Sequence, residues 1–78
     1  MLIYHVKRNK KEHIGYDEHS DYVVIAKDET EARAIGNAEL YGDQGAIWSD
    51  RTRVDAVYLG KAKRGSKKGI VCKSYNAG

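Results

Sequence analysis

Apolar residues fall in short runs along a polar chain, and their spacing changes from end to end. Residues 2–6 (Leu2, Ile3, Tyr4, His5, Val6) are largely β-branched or aromatic and predict a strand. Leu2, Tyr4 and Val6 then share one face, with Ile3, His5 and Lys7 on the other. The polar stretch 8–21, with Gly15 near its middle, predicts a wide hairpin loop. The continuous apolar run 22–26 predicts a central strand, either covered on both faces or buried in a dimer.

The period then changes. Asp28 stands where a helix N-cap belongs, with Glu31 three residues on. Glu29 and Glu31 complement the positive end of the helix dipole. A helix is predicted over 29–41, with Ala34, Ile35, Ala38 and Tyr41 as its apolar stripe. Gly36 inside it costs about 1 kcal/mol relative to alanine and suggests a close approach to the sheet. Gly42 suits the position just past the helix end. Residues 46–48 predict a short strand, 54–59 a clear one, and 69–75 a last one. The order strand, strand, helix, strand, strand, strand predicts an α+β fold. It would be a small, mainly antiparallel sheet of four to five short strands, with one α-helix packed on one face.

Size and composition bound this picture. The 78 residues fit a single small domain, 1–78, and a chain this short buries only about 60% of its extended surface. Stability is expected to be marginal without a staple or a second copy. Cys72 is the single cysteine, which rules out an internal disulfide and suits a reducing compartment. No apolar run approaches the ~20 residues of a membrane span, and no basic leader precedes a long apolar stretch. The expectation is a cytoplasmic protein without a membrane partner. Phenylalanine is absent, so six tyrosines and Trp48 carry the aromatic area. Most of these rings are expected in the core, with Trp48 the main anchor between helix and sheet.

Charge is segregated along the chain. Residues 1–11 carry four bases and no acid, 12–50 carry ten acids against Lys27 and Arg33, and 51–78 carry eight bases against Asp55. A net charge of +3 therefore hides a dipolar sequence. If the fold keeps the blocks apart, an acidic lobe and a basic lobe can each steer a charged partner.

The sequence holds no catalytic motif. His13 and His19 share a stretch with Asp17, Glu18 and Asp21, but a six-residue gap between histidines is no zinc signature, so no metal or cofactor is expected. Cys72 has no histidine nearby in sequence and reads as a buried structural cysteine. Tyr16, Asp17, Glu18 and Asp21 form an acidic recognition loop in this reading. Lys61, Lys63, Arg64, Lys67 and Lys68, with Tyr58, Lys73 and Tyr75, interleave bases with aromatics, the composition of a nucleic-acid surface. A strand–basic loop–strand hairpin over 61–73 is the expected carrier.

Several short segments carry a resemblance. Gly15-Tyr16-Asp17-Glu18, Val23-Val24-Ile25-Ala26, Glu29-Thr30-Glu31-Ala32-Arg33, Ile47-Trp48, Val57-Tyr58-Leu59-Gly60-Lys61-Ala62 and Tyr75-Asn76-Ala77-Gly78 together resemble the small accessory proteins of tailed bacteriophages and prophages. That resemblance implies a non-enzymatic binding protein of the host cytoplasm, in the style of the anti-CRISPR proteins. It would dock on a host or phage protein or ribonucleoprotein complex and inhibit host defence. Direct nucleic-acid binding through 61–73 is the alternative, and the 22–26 strand makes a homodimer credible.

Overall fold

The computed structural model describes residues 1–10, 12–15, 18–40 and 46–76, the side chain of Asn76 excepted. Two strands at the start of the chain set the layering. β1 (Leu2–Arg8) and β2 (Glu18–Ala26) pair antiparallel, with Leu2 opposite Ala26 and Lys7 opposite Asp21. Side chains alternate along each strand. Tyr4 and Val6 on β1, and Tyr22, Val24 and Ala26 on β2, are buried together on one face. β2 is therefore central but, among the described residues, covered by the helix on one side only, and the half-buried Val23 and Ile25 lie on the other.

Helix α1 (Glu29–Glu39) follows β2. The Asp28 carboxylate caps it, accepting from the Glu31 N–H at 2.8 Å. Its last turn closes with the Leu40 N–H donating to the Gly36 carbonyl at 2.8 Å. The sheet-facing stripe is Ala32, Arg33, Gly36 and Leu40, with Ile35 packed beside it. This corrects the expected stripe: Ala34 and Ala38 are exposed, while Tyr41 and Gly42 lie outside the described residues. Gly36 explains the rotation. A Cβ there would stand 2.2 Å from the Tyr22 hydroxyl oxygen, so only glycine lets the helix sit down on Tyr22. The Tyr22 hydroxyl donates to the Ala32 carbonyl at 2.7 Å across that contact.

Residues 46–48 do not form a strand. A single 3-10 turn, Ile47–Ser49, takes their place. Its polar groups are met by helix side chains instead of a ladder. The Trp48 N–H donates to Asn37 Oδ1 (3.1 Å), and the Trp48 carbonyl accepts from Arg33 Nη1 (3.1 Å). Arg33 also donates to the Val54 carbonyl at 3.0 Å, so a buried guanidinium ties helix, turn and next strand together. Trp48 is 2% exposed and meets Tyr22 edge to face, the anchor its sequence position suggests. Of the other described tyrosines, Tyr4 is buried while Tyr58 and Tyr75 are about half exposed.

β3 (Val54–Lys61) pairs antiparallel with β1, and β4 (Gly69–Asn76) pairs antiparallel with β2. The order across the sheet is β3-β1-β2-β4. The fold is α+β: four antiparallel-paired strands in one open sheet, with α1 and the 3-10 turn on one face.

Candidate binding surface

The strand order changes what the basic segment is. β3 and β4 occupy opposite edges of the sheet, so 61–73 is not a hairpin. With two strands between them, the edges stand about 14 Å apart at ~4.8 Å per spacing. Residues 62–68 cross that distance at the end of the sheet where β1 begins and β2 finishes. The Ala62 N–H donates to the Met1 carbonyl at 2.9 Å and ties the start of the crossing to β1. A turn follows, closed by the Ser66 N–H on the Lys63 carbonyl at 3.0 Å, with Gly65 at φ +90 where a side chain would be strained.

Lys61, Lys63, Arg64, Lys67 and Lys68 are all exposed on this bridge. Lys68 reaches Glu31 Oε2 at 3.5 Å, a long contact with the lysine side chain still 55% exposed. The other four make no ion pair among the described residues. Lys27, exposed just after β2, stands at the same end. Sequence reasoning left it in the acidic block, because only strand pairing carries it to the bridge end.

The acidic segment turns out otherwise. Tyr16 and Asp17 lie outside the described residues. Glu18 and Asp21 are strand residues of β2, not loop residues, and both are engaged within the chain. Glu18 Oε1 accepts from Arg8 Nη1 and from the Gly15 N–H, each at 2.9 Å. Arg8, its side chain only 3% exposed, also bonds Glu12, which Arg53 holds from the other side with Nε and Nη2 both at 2.9 Å. The Arg53 bonds lead in keeping the Glu12 carboxyl below its usual range, with Arg8 adding to them against the opposing cost of burial. Asp21 accepts from His5 Nε2 at 2.8 Å and from the Ser20 hydroxyl at 2.6 Å. Burial pushes the Asp21 carboxyl up, but these bonds outweigh it and hold it below its usual range.

The charge blocks are therefore interleaved. Glu12 and Glu18 meet Arg8 and Arg53, Glu29 meets Arg33 and Arg51, and Glu31 meets Lys68. A basic surface survives at the bridge, while no separate acidic lobe forms from these carboxylates.

The remaining candidates sit in the sheet. His19 packs against Tyr75 with ring centres 4.7 Å apart and the rings tilted by 56°. Burial lowers its pKa, and Lys73 adds to the effect. Cys72 is exposed, which corrects the expected buried cysteine: edge strand β4 has no neighbour beyond it. Val23 separates Cys72 from His5 along one cross-strand row, so thiol and imidazole stand on strands about 10 Å apart, too far for a nucleophile–base pair. Among the described residues, no group of three or more His, Cys, Asp or Glu side chains is placed to hold a metal, and no helix is long and apolar enough to cross a membrane. Compared with known proteins, the chain matches no family model, no curated protein and no solved structure.

Proposed function

We propose that this chain is a non-enzymatic binding protein of phage type. It docks by its basic bridge on the nucleic acid of a host or phage ribonucleoprotein complex, in the host cytoplasm, in the manner of inhibitors of host defence. The observation that carries this reading is the contrast in charge pairing. Internal ion pairs occupy Glu12, Glu18, Glu29 and Glu31, while Lys61, Lys63, Arg64 and Lys67 remain exposed at a single end of the sheet with no ion pair among the described residues. Unpaired bases clustered in space are what a phosphate backbone recruits, with release of its counterions.

Binding to naked nucleic acid is the second reading. The internal engagement of Glu18 and Asp21 favours it, since these residues no longer offer an acidic surface to a protein.

The test is fluorescence anisotropy with a labelled 20-nucleotide RNA and with host ribonucleoprotein, each titrated across salt. Four phosphate contacts predict a log–log slope of about −3, and replacing Lys63, Arg64 and Lys67 by alanine reduces its magnitude by about 2. Retention of a ribonucleoprotein but not of RNA alone selects the first reading. Binding that is indifferent to salt and to the triple substitution overturns both.

A further inference from the structure

The face of the sheet opposite α1 carries no helix or further strand among the described residues, and its residues are arranged with an internal symmetry. Ile3, Val23 and Ile25 are partly exposed and take no part in the packing around the core. Read across the sheet from β3 to β4, the pairing registers give three rows on this face. The first is Gly60, Ile3, Ile25, Gly69. The second is Val57, His5, Val23, Cys72. The third is Asp55, Lys7, Asp21, Ser74.

Rotation by 180° about an axis parallel to the strands, between β1 and β2, lays β1 over the partner copy's β2 and β3 over its β4. Each row then meets its own reverse. Isoleucine meets isoleucine in the first row, and glycine meets glycine at both margins. Gly60 and Gly69, at φ +154 and +139, would have nothing within 4 Å of an added Cβ, so they leave the margins low for a second sheet. In the second row, Val57 meets Cys72. In the third, Lys7 meets Asp21 twice and Asp55 meets Ser74 twice, so no like charges oppose. The edges match as well: β3 and β4 each carry a register shift at nearly the same height. The extra residues there, Leu59 and Val71, are exposed by 56% and 61%.

We infer that the chain forms a two-fold homodimer through this open face, as an aligned two-sheet packing. The inference is independent of the proposed function. A hydrophobic face of arbitrary pattern would fit many occupants, but one whose charges become complementary under a single two-fold fits a second copy of itself. The axis runs along the strands, so both basic bridges project from the same end of the dimer.

Sedimentation velocity from about 1 to 100 µM tests this, alongside circular dichroism to confirm folding. The wild type is expected to reach twice the 8.8 kDa chain mass. Lys7→Glu opposes Asp21 of the partner subunit and is expected to weaken association at least tenfold. Lys7→Glu combined with Asp21→Lys restores it, since the swap keeps positions 7 and 21 of the two copies opposite in sign. Val23→Lys, folded but monomeric, supports the same face. Native Cys72 should react with a thiol reagent more slowly as protein concentration rises, because the dimer covers it. A wild type that stays monomeric at 100 µM overturns the inference. So does a dimer indifferent to both Lys7→Glu and Val23→Lys, which would put the contact elsewhere, for example along an open strand edge.

Discussion

The two faces of the sheet are built from similar residues and do different work. β2 shows this most directly, because Val23 and Val24 are adjacent and identical in chemistry. Val24 is fully buried beneath α1. Val23 stands on the bare face between His5 and Cys72. Neighbouring cations divide in the same way: Arg8 is locked among Glu12 and Glu18, while Lys7 is exposed. Strand alternation alone sends each pair in opposite directions. Residue type therefore says little about role until the covered face is known.

The sharpest way to break the comparison is to add one carbon to the covered face. Gly36→Ala gains about 1 kcal/mol of helix propensity but drives a methyl group into the Tyr22 ring. Overpacking of this kind costs about 3 kcal/mol, so the clash wins, and thermal unfolding should show a net loss of about 2 kcal/mol or more. Arg8→Ala leaves Glu12 and Glu18 short of a partner in a mostly enclosed site, and urea unfolding should register a loss of about 2 kcal/mol. Lys7→Ala should cost under about 0.5 kcal/mol in the monomer by the same measurement. Val24→Ala should destabilise by about 2 kcal/mol, and Val23→Ala by less than about 1 at low micromolar concentration. Equal costs for the two valines at that concentration would mean that the second face is also covered within one chain.

The smallest effect expected is a pH dependence. Glu12 and Asp21 have folded pKa values below their unfolded ones, so the unfolded state binds protons first as pH falls. Their contribution is present above the ordinary carboxylate range and is lost as pH drops through the folded values. His19, also lowered, has the same sign nearer neutrality. Stability should thus fall on acidification in two stages, and Glu12→Gln should flatten the lower one in urea midpoints measured from pH 7 to pH 3.

The architecture was legible because its signals are local. The 2–6 and 22–26 runs, the Asp28 cap and the closeness of Gly36 to the sheet all hold. The helix face differs from the apolar pattern because alanine counts as apolar yet loses little when exposed, whereas Arg33 counts as polar yet is buried with its hydrogen bonds to carbonyls satisfied. The apolar residues beside Trp48 predict a strand there, but helix side chains supply its backbone partners. The candidate site was legible as a cluster of bases and illegible as a shape. Whether 54–61 pairs with its successor or with β1 is a long-range decision, and it turns a hairpin into a bridge. Likewise, the pairing of Glu12 with Arg53 lies 41 residues away in sequence, beyond any block count.

The strand order also bears on how the chain finds its fold. The two central strands are consecutive and come first, and the two edges are added afterwards, one on each side. A β1–β2 hairpin closes a short loop and can form early, in about 1–10 µs for hairpins in general. β3 must then return across the helix, and β4 must cross the whole sheet end, each at a larger closure entropy. Assembly from the centre outward would have the basic bridge take its shape last, when β4 docks on β2. Amide exchange should accordingly protect β1 and β2 most and β4 least, and the surface that carries the exposed cations would be the final part of the molecule to become ordered.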